Sequence, residues 1–299
     1  MKRTIEFAKL SGSGNDHICV DNLDGRFDRL LASPERVGHF VRTLCQRGLG
    51  VGADGLIFAT RPKNAAEADV AARHFDPDGT EPELCGNGSA CLARWAMENR
   101  WAPGREVRIE TPSGIVRGRR DAAGYIRVCI PEPHGLRRGI RLAAAGRRWT
   151  LDYAVTGTPH AVAYVDDVEA VDVARWGPAI RRHHRFAPQG ANVSFAQVLG
   201  VGSLAVRTFE FGVEAETLAC GTGCATAALL AALRFRWSRD YLAEGEPVRI
   251  RVRSGDILKV YLLLDEDGAI VKVCLGTIVR GLYTGRLHPE LAARALVDA

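Results

Sequence analysis

Two short stretches, Cys85-Gly86-Asn87-Gly88-Ser89-Ala90 and Cys220-Gly221-Thr222-Gly223-Cys224-Ala225, share the pattern C-G-x-G-x-A, and each leads into a run of helical character. A glutamate stands four residues before each cysteine, Glu81 and Glu216. Phe75-Asp76 and Phe209-Glu210 lie further upstream, their acids nine and ten residues before the cysteine. Downstream, Val107-Arg108-Ile109 leads to Ser113-Gly114 as Val248-Arg249-Ile250 leads to Ser254-Gly255. Earlier in each copy, Gly14-Asn15 is echoed by Gly157-Thr158, and Gly52-Ala53-Asp54 by Gly190-Ala191-Asn192. Five echoes in one order and at similar spacing define a duplication, which predicts two homologous α/β halves.

Each half has the same coarse reading. Apolar runs predict strands at 55–60, 192–199, 204–210 and 257–264. A long helix follows each cysteine, over 88–99 and 223–234, and another precedes each Gly-Ala-Asp/Asn segment, over 34–47 and 168–182. Pro131 and Pro133 place the junction near 129–135, so the expected domains are 1–130 and 131–277. The last strand-like stretch, 278–287, follows the second copy's final segment, and 278–299 is expected to return to the first half.

The bulk properties narrow the class. At 299 residues, 46% hydrophobic and 25% charged, the chain has ample core for a globular protein. The net charge of +5 comes from scattered arginines, and runs such as Arg181-Arg182-His183-His184-Arg185 read as solvated surface. Without aromatic interleaving they support no nucleic-acid partner, and no apolar window supports a membrane span. The N-terminal segment lacks the apolar stretch of a signal peptide, so a cytoplasmic protein is expected. Eight cysteines without a C-x2-C pair favour thiols over disulfides or structural zinc. Gly50-x-Gly52-x-x-Gly55 fits a dinucleotide pattern but follows a helix and leads into a strand, the reverse of what that motif requires.

A cysteine at a helix start has a chemical rationale. First-turn amides have no intrahelical partner and the positive end of the helix dipole lies there, so a thiolate is favoured and a carboxylate finds donors. The flanking glycines let a ligand approach the backbone. Two such ends facing each other would hold one carboxylate with a thiol on either side of its α-carbon. One thiolate would remove the α-proton while the opposite thiol returns another, inverting the centre. Backbone donors would carry the enolate-like charge.

The chain resembles the diaminopimelate epimerase family over almost its whole length. Phe7-Ala8-Lys9-Leu10-x-Gly12-x-Gly14-Asn15-Asp16 is similar to the family's opening motif, and Gly50-Val51-Gly52-Ala53-Asp54-Gly55-Leu56-Ile57 to its second segment. Phe75-x-x-Asp78-Gly79 precedes the first cysteine motif, and Thr217-Leu218-Ala219-Cys220-Gly221-Thr222-Gly223 resembles the second. The resemblance implies two mirror-related domains, each a barrel-like mixed sheet around a central helix, with the active site in the cleft between them. It implies a two-base mechanism with Cys85 and Cys220, without pyridoxal phosphate, other cofactor or metal. His160 and Glu210 match the residues that help activate the thiols. Asn15 and the amides of Gly86, Asn87, Gly221 and Thr222 match substrate-binding positions.

The departures concern the far end of the substrate. Phe211 stands where the family has an arginine, Thr158 and Asp76 where it has asparagines, and Ala90 where the first cysteine motif has an arginine. Asn192 is unchanged. Loss of the arginine removes the natural bidentate partner of a distal carboxylate, and Asp76 makes the region more anionic. The expectation is racemisation of another amino acid, histidine or a basic one. Genuine diaminopimelate epimerisation and a non-racemase isomerase of the same fold are the alternatives. A small-molecule substrate is the expected partner, and a homodimer is the prior for such an enzyme.

Overall fold

The computed structural model describes residues 4–82, 85–130, 132–243 and 245–296, and the chain divides into two compact units, Met1–Val128 with Ile278–Ala299, and Cys129–Thr277. The first carries β1 (Glu6–Gly12), β2 (Asn15–Asn22), β3 (Gly55–Thr60), β4 (Val70–Phe75), β5 (Glu106–Thr111), β6 (Gly114–Arg120) and most of β7 (Ile126–Ile130). Its helices are α1 (Asp28–Leu31), α2 (Pro34–Cys45) and α3 (Gly86–Glu98). The second carries β8 (His134–Ala144), β9 (Arg147–Thr156), β10 (Thr158–Tyr164), β11 (Asn192–Gly200), β12 (Ser203–Glu210), β13 (Ala215–Thr217), β14 (Val248–Arg251), β15 (Ile257–Leu264) and β16 (Ile270–Thr277), with α4 (Val173–Arg181) and α5 (Gly221–Arg234). The chain then returns to the first unit with β17 (Val279–Arg286) and α6 (Pro289–Ala295). Pro131, at the expected junction, lies outside the described residues; β7 ends just before it and β8 begins at His134.

The two sheets repeat one pairing scheme. In the first unit the order is β17-β1-β2-β3-β4-β5-β6-β7, with β2–β3 and β4–β5 parallel and the other neighbours antiparallel. In the second it is β8-β9-β10-β11-β12-β14-β15-β16, with β10–β11 and β12–β14 parallel. β17 therefore occupies in the first unit the place of β8 in the second. Parallel neighbours need a crossover long enough for a helix. The first crossover of each unit holds α2 or α4, the second holds α3 or α5.

The second crossover helix sits inside its sheet. α3 touches every strand from β17 to β6. Laid flat, seven strands would span roughly 29 Å, whereas a 13-residue helix is about 20 Å long and 10 Å wide. The sheet therefore curls around α3. α5 touches β9, β10, β11, β12, β14, β15 and β16 in the same way. The residues permit this. Cys224-Ala225-Thr226-Ala227-Ala228-Leu229-Leu230-Ala231-Ala232 is buried throughout, an all-round apolar helix of small side chains enclosed by strands. α2 instead lays Val37, Phe40, Val41 and Leu44 on the outer face of the first sheet, starting from the Ser33 N-cap and Pro34.

Two expectations need correction. The helix expected over 168–182 starts only at Val173, because the carbonyls of Val168 and Val171 turn outward to accept Arg207 Nη1 at 3.0 and 2.9 Å, and Asp172 caps the helix behind them. Cys129 and Cys274, both in the second unit, form a disulfide rather than staying thiols, since the fold sets their Cα atoms 3.8 Å apart. Among the described residues, no helix is long and apolar enough to cross a membrane.

Candidate active site

Cys85 and Cys220 are the N-cap residues of α3 and α5, with near-identical extended backbones (φ −123°, ψ 115° and φ −113°, ψ 109°). Each sulfur accepts the amide of the residue three positions on, Gly88 at 3.3 Å and Gly223 at 3.4 Å. The helices thus begin two residues before the expected 88 and 223, because the thiol does the work of a serine cap. The amides of Gly86 and Asn87, and of Gly221 and Thr222, precede the first intrahelical bonds and are available to an anion.

A duplicated fork holds the segment before each cysteine. Arg73, on β4, grips Glu81 with both branches of its guanidinium, Nη2 donating to Oε2 at 2.7 Å. Arg207, on β12, grips Glu216 at 2.6 and 2.7 Å. These are the two glutamates that recur four residues before the cysteines, and such bidentate pairs fix direction as well as distance.

Around Cys220, Thr222 Oγ1 lies 3.6 Å from the sulfur and 3.0 Å from His160 Nε2. Thr158 Oγ1 lies 3.1 Å from the same nitrogen and accepts Asn192 Nδ2 at 3.1 Å. Asn192 Oδ1 in turn accepts the Phe211 amide at 2.6 Å. His160, Thr158, Asn192, Phe211, Thr222 and Cys220 therefore form one connected group. His160 is fully buried, and burial holds its pKa down to about 3, so its imidazole is neutral. Glu210, at the end of β12, accepts the Thr217 hydroxyl. The helix start was expected to depress the thiol's pKa, but burial of Cys220, followed by the charge of Glu210, pushes it well above its ordinary value and outweighs the hydrogen bonds from Thr222 and Gly223. Cys220 rests as a thiol.

Cys85 is only partly buried, and its imidazole neighbour is one the sequence reading overlooked. His17 Nε2 lies 3.8 Å from Cys85 Sγ, and His74 lies beside it, ring centroids 5.1 Å apart. Both rings are buried; His17 Nδ1 and both nitrogens of His74 have no hydrogen-bond partner. Burial holds His17 down to about 4 and His74 well below its ordinary value. The signal was present. Extending the echo of Gly14-Asn15 and Gly157-Thr158 by two residues pairs His17 with His160. One ligand atom each from His17, His74 and Cys85 lie within 4.8 Å of one another, so three potential metal ligands from distant sequence positions are brought together.

The remaining first-unit residues sit as follows. Asn15 Nδ2 donates to Asp54 Oδ2 at 3.4 Å, and Asp54 also accepts the Asp16 amide. Buried Lys9 binds Asp16 at 2.9 Å and the Gly52 carbonyl. Burial opposes ionisation of Asp16, yet Lys9 and Arg47 hold its pKa down to about 2. Asp76 follows β4 directly, and burial, with Asp78 nearby, pushes its carboxyl up to about 6. Phe211 is half exposed, and the Arg181 guanidinium lies 4.4 Å from its ring centroid while pairing with Glu214 at 2.6 Å. Arg181, expected on a solvated face, is thus a largely covered residue.

Solved structures share this mixed α/β fold, in which a curled sheet wraps round a central helix. The chain aligns with a phenazine biosynthesis protein of the PhzF family from Bacillus anthracis at a TM-score of 0.73 and 15% identity, covering 96% of this chain and 99% of that one. It aligns equally well, at 0.73 and 14% identity over 99% and 96%, with a probable proline racemase from Agrobacterium radiobacter. At the sequence level, residues 7–124 and 153–279 match the diaminopimelate epimerase family. The diaminopimelate epimerase of Aquifex aeolicus is 38% identical over 96% of this chain and 99% of its own length, and that of Methanothrix thermoacetophila is 37% identical over 92% and 96%. The chain belongs to the diaminopimelate epimerase family, and it is an isomerase.

Proposed function

We propose that the protein inverts the α-carbon of a free amino acid by two-base proton transfer through Cys85 and Cys220, without a cofactor, and that its substrate carries no second amino-carboxylate. The observation that carries the chemistry is the matched pair of N-capping thiols, each beside first-turn amides that make no intrahelical bond. One sulfur takes the α-proton as thiolate while the other gives its own, and the amides of Gly86, Asn87, Gly221 and Thr222 stabilise the charge that develops on the carboxylate. The substrate reading rests on Phe211 in place of the family's arginine and on the carboxyl of Asp76, which together suit a flat or cationic side chain such as that of histidine, lysine or arginine. A cation near Asp76 would draw its raised pKa back down.

Arg181 favours the second reading, genuine diaminopimelate epimerisation. Its guanidinium lies over Phe211 and could receive a distal carboxylate in place of the missing arginine. Glu214 already occupies it, which is why the first reading is preferred. Incubation in deuterated water with histidine, lysine, arginine and diaminopimelate, followed by chiral chromatography and mass spectrometry, separates the readings. α-Deuteration and inversion of histidine or a basic amino acid is the expected result. Turnover of diaminopimelate alone establishes the second reading, and no exchange with any of them overturns both.

A further inference from the structure

His17 and His74 take no part in the proton transfers described above. We propose that His17, His74 and Cys85 form a binding site for a thiophilic divalent cation, Zn²⁺, which silences the enzyme by occupying its thiol. Cation binding does not depend on the racemase reading; the silencing rests on it.

The geometry is close to what zinc requires. With Zn–S about 2.3 Å and Zn–N about 2.0 Å in a tetrahedral site, sulfur and nitrogen stand about 3.6 Å apart. Cys85 Sγ and His17 Nε2 are 3.8 Å apart, and the His74 ligand atom lies within 4.8 Å of both. Both imidazoles converge on the first turn of α3: a Cβ built on Gly88 would stand 3.2 Å from His74 Nε2 and 3.3 Å from His17 Nε2. His74 is buried with both ring nitrogens unpartnered, so the nitrogen that carries no proton has a lone pair engaged in no hydrogen bond. Two imidazoles and one thiolate are a borderline-soft set that suits Zn²⁺ over Mg²⁺ or Ca²⁺, and three protein ligands leave a fourth position for water. A small pocket lined by Ala72, His74, Pro82, Cys85, Gly88 and Thr111 adjoins two of the three ligands, His74 and Cys85. On binding, the Cys85 S–H bond breaks, its proton leaves to solvent and an S–Zn bond forms, with no change of oxidation state.

Among the described residues, the second unit lacks this arrangement. His160 matches His17, but the strand position matching His74 holds Thr208, whose hydroxyl bonds Ser194 at 3.1 Å. A single cation per chain is therefore expected.

The test uses Co²⁺ as a spectroscopic stand-in on the full-length protein. One equivalent should produce the near-ultraviolet charge-transfer absorption of a cobalt–thiolate bond, displaced by Zn²⁺. The absorption should persist in C220S and vanish in C85S. H17F and H74L should each weaken binding more than about 100-fold, since even groups behind a ligand are worth 10–100-fold. Absorption that survives in C85S, or is unchanged in both histidine variants, overturns the proposal. Should either variant fail to fold, the wild-type protein decides: Zn²⁺ should protect Cys85 from iodoacetamide, read by peptide mapping, and undiminished labelling at saturating Zn²⁺ overturns the site. The silencing is read separately, as loss of α-deuteration on adding Zn²⁺ and its return with chelator. A cobalt–thiolate absorption without any exchange would leave the site standing and remove the racemase reading.

Discussion

Behind Cys220, the adjacent strand positions Ser194 and Thr208 satisfy one another; behind Cys85, the matching positions are Ile57 and His74, and the histidine has no partner. Everything that the backbone dictates is nonetheless repeated: the N-capping sulfur, the glycine three residues on, the arginine–glutamate fork and the curled sheet. Duplication has kept the frame and let the lining diverge. The consequence is two unequal thiols. Cys220 is buried with Glu210 nearby, which favours the protonated form, whereas Cys85 is partly exposed with an imidazole at hand. Under the two-base reading proposed above, an acid and a base must be ready at the same moment, and a buried, protonated Cys220 opposite a more exposed Cys85 would suit the two roles.

The comparison breaks most visibly at the thiols themselves. C85S and C220S should each lose about 10²–10⁴-fold or more in inversion, the range for removal of a general acid or base. Polarimetry or chiral chromatography checks this, and full activity in either variant would contradict the two-base scheme. Acid stability comes next. His17, His74 and His160 are held neutral when folded but bind protons near pH 6.5 when unfolded. Their contribution is fully present above pH 6.5 and is lost as pH falls through about 4 for His17 and about 3 for His160. Each costs about 1.4 kcal/mol per pH unit within its window. Asp76, raised to about 6, and Asp54, also raised by burial, work the other way at acid pH, so the net loss there is smaller than the three histidines alone would give. Urea midpoints from pH 7 to 4 should fall steeply, and H74L should flatten the slope by one proton.

The duplication, the start of α2 at Pro34 and the strand spans at 55–60 and 257–264 were legible because period and cap chemistry are local signals. Three things were not. The late start of α4 depends on Arg207 reaching carbonyls some 36–39 positions away. Arg181 reads as one member of a basic run, and only the fold turns it onto Phe211 and Glu214. The cluster of His17, His74 and Cys85 is spread over 68 positions, a spacing that matches no ligand motif, although His17 itself could have been found from its twin His160.

The forks offer a subtler comparison. Arg207 is 11% exposed and also holds the 168–171 turn, while Arg73 is 35% exposed. Breaking a largely buried pair strands its partner, whereas an exposed pair is screened by water. R207M should therefore cost about 2–4 kcal/mol, and R73M about 1 kcal/mol or less. Denaturant unfolding measures both; equal losses would mean that burial is not what separates the two forks.

The smallest effect is the most discriminating, because its two arms are expected to differ in sign. T208V leaves the Ser194 hydroxyl buried without its partner and should destabilise by about 1–2 kcal/mol. H74L, measured with chelator present, removes a buried imidazole that pairs with nothing and replaces it with an apolar group of similar size. The desolvation cost of that imidazole, about 1–3 kcal/mol, is then no longer incurred, and a gain of up to about 1 kcal/mol should survive the imperfect fit. A stable protein that carries such a group uncompensated has kept it for something other than stability. If H74L destabilises as much as T208V, His74 is packed and satisfied after all, and the case for a ligand at the first cysteine weakens with it.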